Sequence, residues 1–194
     1  MAYLKRSLLD TRHDASIVNV SAHSFRFPTW VTGEGRPLFL HKRTSSWGWA
    51  IWKEDWERID FSRYDDKGIG FHILMACRLF LTAPDLPLMY LATIYGNTDS
   101  WAVKFVAEQQ RLKVLTQFPV FAHSSNRGFD EHATHCEEDI GFEDRYDVSN
   151  SLHQTNEVNA LSISANAYIW FRAGYNMCRR RANRILRRRG TSFA

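Results

Sequence analysis

The feature that most constrains this chain is an arginine-dense segment near its C-terminal end that also carries an apolar stripe. Eight arginines lie in it, and no acidic residue follows Glu157. These arginines are Arg172, Arg179, Arg180, Arg181, Arg184, Arg187, Arg188 and Arg189. Spacings that alternate between three and four predict one helical stripe made of Leu161, Ser164, Tyr168, Phe171, Tyr175, Cys178, Ala182 and Ile185. The segment 151–190 is therefore predicted to be a basic, amphipathic helical element with a buried seam, from which most of the arginines face away.

The N-terminal part of this element has two interpretations. Ser151 with Gln154 matches a weak capping box, and Gly190 is a natural helix stop. Residues 161–169 also alternate between apolar and polar or small side chains, as a strand would. A strand followed by a shorter helix is therefore the alternative, although the length of the stripe favours one helix.

The charge is distributed unevenly along the chain. The net charge is +4, but without those eight arginines the 25 basic residues fall to 17 against 21 acidic ones, or about −4. A cationic end on an acidic body points to that end as an interaction element. An acidic strip over 130–147 contains Asp130, Glu131, Glu137, Glu138, Asp139, Glu143, Asp144 and Asp147, against Arg145 alone.

The arginines suggest a polyanionic partner. Guanidinium groups stay charged and make forked contacts with phosphate, so several on one helix could neutralise several phosphates of DNA or RNA. Anionic lipid is an alternative partner. The acidic strip at 130–147 offers an intramolecular alternative, in which it simply clamps the basic helix.

Length and composition favour a single α+β domain over 1–194. The 44% hydrophobic content is ample for a core, and no apolar run reaches the roughly 18 residues of a membrane span. Three widely spaced cysteines form no disulfide framework, so we expect a cytoplasmic location. The predicted order is N-terminal antiparallel strands, central helices and the long C-terminal helix.

The strands are predicted from alternation and turn residues. A strand should occupy 17–27, and residues 38–40 and 47–52 should pair as a hairpin, although their connection is long. Another short strand is expected at 119–122.

Two central helices are predicted from apolar periodicity. The first should begin near Gly70 and be mostly buried, through Ile73, Leu74, Cys77, Leu79, Phe80 and Leu81. The second should be capped by Asp99 or Ser100 and run to about Thr116, with an inner face of Val103, Val106, Gln110 and Val114. The apolar stretch 86–95 between them is ambiguous.

A metal site is a second hypothesis for function. His132, His135 and Cys136 lie within one turn's length, with His123 upstream, and imidazole and thiolate groups are good zinc ligands. The segment matches neither HExxH nor a zinc finger. A solvated, acidic surface loop is the simpler interpretation, and the expected cofactor is none or zinc.

A group of aromatic side chains lies in the first half of the chain: Trp47, Trp49, Trp52 and Trp56. Strand alternation would place Trp47 and Trp49 on one face and Trp52 on the other. Core packing is the favoured role. Nearby basic residues keep a base-stacking surface as the alternative.

Catalysis has no recognisable sequence signature. There is no GxSxG, P-loop, GxGxxG or kinase motif. Polar residues that an enzyme could use are Arg43, Glu54, Asp65, His72 and His123. Nothing selects a catalytic set from them, and His72, on an apolar helix, is better explained as a hydrogen-bonded core histidine.

Three functions follow from these patterns. The favoured one is a non-catalytic protein that binds nucleic acid or another polyanion through the C-terminal arginines. The second is an enzyme of unrecognised family, with a metal at His123, His132, His135 and Cys136. The third is an assembly protein that forms homo-oligomers through the C-terminal stripe.

Overall fold

A computed structural model describes residues 2–24, 38–124, 166–179 and 181. Besides a short 3-10 helix at Phe61–Tyr64, it contains six α-helices and four strands in these ranges. In chain order they are α1 (Ala2–Thr11), β1 (Ile17–Ser21), β2 (Leu38–His41), β3 (Trp49–Ile51), α2 (Lys53–Trp56), α3 (Ile69–Thr82), α4 (Leu86–Ile94), α5 (Trp101–Leu112), β4 (Leu115–Pro119) and α6 (166–179). The predicted α+β class is confirmed.

The four strands form one mixed sheet in the order β2-β4-β1-β3. β1 and β4 run parallel in the centre, and β2 and β3 are antiparallel edge strands. The predicted hairpin is therefore wrong, because β2 and β3 lie at opposite edges. Each pairs with a strand that is distant in sequence, and Gly48 turns the chain into β3 with a positive φ of 63°. The strand expected at 119–122 is found at Leu115–Pro119 instead, so the two ranges share only Pro119.

A row of buried polar side chains crosses the sheet on the face that α5 covers. His41 of β2 and Asn19 of β1 flank Thr116 of β4 in register. Thr116 Oγ1 donates to Asn19 Oδ1 at 2.7 Å, and Gln109 Nε2 of α5 donates to Thr116 Oγ1 at 2.8 Å. Asn19 Nδ2 in turn donates to Thr44 Oγ1 at 2.9 Å. This network joins α5 to the two central strands and to Thr44 just after β2.

The second of the two predicted central helices corresponds to α5, and its start was predicted closely. Ser100 is its N-cap, as expected, but α5 ends at Leu112 because Lys113 adopts a left-handed conformation with φ of 58°. Of the predicted inner face, Val103, Val106 and Val114 are buried and Gln110 is not. The ambiguous stretch 86–95 forms α4.

α3 has a buried side and an exposed apolar side. Its buried residues follow a regular helical spacing and are His72, Met75, Ala76, Leu79 and Thr82. Of the residues predicted to be buried, only Leu79 is, whereas Ile73, Leu74, Cys77, Phe80 and Leu81 are exposed. The prediction of a mostly buried helix was wrong because apolar residues on both sides leave no polar face to mark the outside.

His72 is a hydrogen-bonded core histidine, as expected. Its Nε2 lies 3.1 Å from the Lys67 carbonyl, which can only accept, and its Nδ1 lies 2.8 Å from Tyr90 Oη. No helix within the described residues has the length and hydrophobicity of a membrane span.

Candidate polyanion-binding surface

α6 is fixed to the body of the protein by its inner face. Ile169 is buried against Phe39, Phe118 and Val120. Asn166 Nδ2 donates to the Leu40 carbonyl at 3.3 Å. These contacts hold the start of α6 against β2 and β4.

The middle of α6 crosses the C-terminal end of α3. Trp170 Nε1 donates to the Phe80 carbonyl at 3.0 Å, and their rings lie 5.7 Å apart edge to face. Gly174 lies so close to Pro84 that an added Cβ would come within 3.3 Å of Pro84 Cγ. The small residue therefore permits the close crossing, despite its cost in helix propensity.

The buried side of α6 differs from the predicted seam. Phe171 and Tyr175 are 71% and 66% exposed, and Cys178 is exposed, although all three belong to the predicted stripe. Ile169 and Asn176 are the buried residues instead. The register prediction was wrong because this helix carries apolar side chains on two sides, and the close approach at Gly174 selects the side that docks. Of the other stripe residues, Tyr168 is half-buried and packs against the cluster that contains Ile169. Leu161, Ser164, Ala182 and Ile185 lie outside the described residues.

The outer side of α6 presents two aromatic rings and one arginine in a single column. Phe171, Tyr175 and Arg179 follow each other at intervals of four residues, so they lie along one side of the helix. Arg179 and Arg181 are exposed, and neither pairs with a carboxylate in the part of the chain that the structure describes. Arg172 differs, since its NH1 donates to Tyr168 Oη at 3.2 Å.

The remaining predicted arginines lie outside the described residues, and so does the acidic strip 130–147. They are Arg180, Arg184, Arg187, Arg188 and Arg189. The intramolecular clamp between strip and helix therefore stays a prediction.

The predicted metal ligands are only partly described. His123 stacks on Tyr3 with ring centroids 4.1 Å apart, and its backbone N–H donates to the Ala22 carbonyl at 2.7 Å. His132, His135 and Cys136 lie outside the described residues. Within the described ranges, no three His, Cys, Asp or Glu side chains are grouped as a metal site would require, so the zinc hypothesis stays a prediction.

The tryptophans pack in three separate places. Trp49 lies among Trp56, Trp101 and Phe105, with ring centroids 5.2–5.9 Å away. Trp47 precedes β3 and meets His23 edge to face at 4.8 Å. The third, Trp52, donates from Nε1 to the Leu8 carbonyl at 3.2 Å and carries the Arg12 guanidinium over its ring. The four predicted residues therefore form no single stacking face.

The polar residues considered for catalysis are dispersed among separate partners. Arg43 NH1 contacts both carboxylate oxygens of Asp85 at 2.9 Å. Asp65 pairs with Lys104 Nζ at 3.3 Å, and His72 is held by Tyr90. Glu54 is exposed on α2. Geometry selects no catalytic set from them.

Glu108 is a buried carboxylate that was not among the predicted site residues. Its Oε1 accepts from Tyr64 Oη at 2.7 Å and Arg111 Nε at 2.8 Å, and its Oε2 accepts from Arg111 NH2 at 2.7 Å. Burial raises the pKa of this carboxyl, but the hydrogen bonds from Arg111 and Tyr64 together outweigh burial, so the pKa lies below its usual value. Only the i, i+3 spacing of Glu108 and Arg111 was a possible signal.

The Glu108 cluster is fully hydrogen-bonded and holds α5 against Tyr64 in the short 3-10 helix Phe61–Tyr64, so it leaves no group to act on a ligand. The outer face of α6 differs, because its aromatic and cationic side chains point away from the body of the protein. No protein family, no individual characterised protein and no solved structure matches this chain.

Proposed function

We propose that this chain is a non-catalytic binding protein that contacts nucleic acid through the outer face of α6. The observation that carries the proposal is the exposed column Phe171, Tyr175 and Arg179. Arg181 is also exposed, two residues further along the helix and on another side of it. Guanidinium groups neutralise phosphates. Exposed rings stack on bases, each stacked base contributing about 1–3 kcal/mol.

Single strands fit this surface better than a duplex. The bases of a duplex are already stacked on each other, so exposed rings gain little from them. The inner face of α6 is held by Ile169, Asn166 and Trp170. The column therefore stands on a fixed element, which lowers the cost of ordering it on binding.

Fluorescence anisotropy with a labelled single-stranded oligonucleotide tests the arginines. Arg179→Gln with Arg181→Gln should weaken binding about tenfold at moderate salt, and should reduce the slope of log K against log salt by about 0.7 per lost phosphate contact. Tyr175→Leu should weaken binding with little change in that slope, because it removes a stacking contact and no charge.

The matched control is Lys5→Gln with Arg6→Gln on α1, which removes the same net charge from exposed residues of another helix. An equal loss in both double variants would mean that general electrostatics, and no defined site, governs binding. Unchanged affinity in the α6 variants would refute the proposal.

A further inference from the structure

The aromatic side chains of α6 continue onto α3. Trp170 meets the ring of its chain neighbour Phe171 edge to face, with centroids 5.5 Å apart. Trp170 also meets Phe80 of α3 edge to face, at 5.7 Å. Three rings in contact therefore lead from the outer side of α6 to the C-terminal end of α3.

Both ends of this chain of rings are open to solvent. Phe171 is 71% exposed and Phe80 is 46% exposed, whereas Trp170 between them is half-buried. In the described part of the protein, Phe80 belongs to none of the three core clusters. An edge-to-face contact occupies at most one face of each ring, so Phe80 and Phe171 each keep aromatic surface that can stack on a base.

The helix crossing holds these rings in place without a ligand. Trp170 Nε1 donates to the carbonyl of Phe80 at 3.0 Å, and Gly174 lies against Pro84 just beyond α3. The position of Phe80 relative to Phe171 is therefore set before anything binds, which lowers the cost of ordering a stacking surface. Because the hydrogen bond uses the backbone of Phe80, the phenyl ring is not needed to form it.

The charges of the crossing helices are compatible with a phosphate backbone. Residues 68–98, which include α3 and α4, contain one acidic residue, Asp85, and residues 166–181 contain none. Both carboxylate oxygens of Asp85 lie 2.9 Å from Arg43 NH1, so this charge is neutralised within the protein. A nucleic-acid strand that crosses from α6 to α3 would therefore meet no free carboxylate of these two segments.

We propose that the single strand bound by α6 continues from Phe171 past Trp170 onto the C-terminal end of α3, where one base stacks on Phe80. The inference rests on the proposed nucleic-acid binding and specifies the path of the strand. The strand then crosses two helices and does not follow the column of α6 alone. Phe80 adds a stacking contact to the site and no charge, so its contribution depends on the bases and not on salt.

Fluorescence anisotropy of the full chain with two labelled single strands of equal length, one with bases and one abasic, tests the path. Phe80→Leu should weaken binding of the strand with bases about fivefold or more, with an unchanged salt slope. The same variant should bind the abasic strand at low salt as wild type does, because that strand binds through its charges. Phe80→Tyr keeps the ring and should bind both strands like wild type.

The matched control is Tyr95→Leu. Tyr95 is 57% exposed and follows the last residue of α4, about 14 Å along that helix from the end that α6 crosses. This variant removes an exposed ring from a neighbouring helix and should bind both strands like wild type. A loss equal to that of Phe80→Leu would mean that any exposed ring serves, and would overturn the path.

The remaining outcomes separate the path from the proposed function. If Phe80→Leu binds like wild type while Tyr175→Leu weakens binding, the strand follows α6 alone: the path is overturned and nucleic-acid binding by α6 stands. Equal weakening of both strands by Phe80→Leu would show that Phe80 only holds α6 in place, which also overturns the path. If neither Tyr175→Leu nor Arg179→Gln with Arg181→Gln changes the affinity, the proposed function fails and the path fails with it.

Discussion

α3 and α5 are neighbouring helices that invert the usual rule about which residues are buried. α5 buries Glu108 and Gln109 completely. α3 leaves Ile73 and Leu81 exposed, although both are large and apolar. The difference lies in what each helix meets: polar groups approach the inner face of α5, and nothing among the described residues covers the outer face of α3.

The buried carboxylate of α5, Glu108, is stable because its neighbours satisfy its hydrogen-bonding groups. Burying a carboxylate is costly unless it is paired and hydrogen-bonded. Glu108 has both kinds of partner in Arg111 and Tyr64, and the Asp60 backbone N–H lies 3.4 Å from its Oε2. Residue type alone therefore does not determine burial here, because the partners do.

The largest expected effect comes from removing the buried carboxylate. Glu108→Ala leaves Tyr64 Oη without its acceptor and opens a cavity, so we expect a loss of about 3 kcal/mol in the free energy of unfolding, measured with urea at neutral pH. The loss is limited because Arg111 is partly exposed and can turn to water.

The control for Glu108→Ala is Glu57→Ala. Glu57 lies 3.6 Å from Lys53 Nζ in an exposed i, i+4 pair, which is worth well under about 1 kcal/mol. Equal losses in the two variants would show that the Glu108 contacts contribute no more than a surface pair.

A smaller effect should appear as a pH dependence of the free energy of unfolding, caused by His41 in the row of buried polar side chains that crosses the sheet. Burial, with the Arg43 charge beside it, lowers the pKa of His41 to about 3. In the unfolded chain the value is about 6.5, so between these values only the unfolded state binds the proton. The stability due to neutral His41 is therefore fully present above pH 6.5 and is lost as the pH falls.

For His41 we expect a loss of about 2 kcal/mol between pH 7 and pH 5. His41→Asn should remove that share of the pH dependence, because the asparagine oxygen can still accept from the Arg43 N–H that lies 2.8 Å from His41 Nδ1. His13→Asn, at an exposed histidine, is the control and should leave the slope as it is. A slope that His41→Asn does not change would contradict the burial of neutral His41.

Features that depend only on neighbouring residues in the sequence, such as helix caps, were predicted correctly. The start of α5 at Ser100 followed from its capping position, and the hydrogen-bonded His72 followed from its place on an apolar helix. The sheet order did not follow, because β1 pairs with β4 across almost a hundred residues and no turn encodes that pairing.

The candidate surface on α6 was only half predictable. The arginines were evident from composition, but the docking side was not, because Ile169 and Phe171 make both sides of the helix apolar. The docking side depends on the shape of Pro84 and β2, against which Gly174 and Ile169 fit. A single sequence does not encode that shape locally.

The smallest expected effect comes from comparing the free energies of unfolding of two variants, one on each side of α3. Leu81→Gln should change the free energy of unfolding by less than about 0.5 kcal/mol, because Leu81 is 79% exposed and gains little from folding. Leu79→Gln, two residues away in the same helix, should cost about 3 kcal/mol or more, because Leu79 is fully buried beside Tyr90. If Leu81→Gln costs as much as Leu79→Gln, the outer face of α3 is covered by the chain itself.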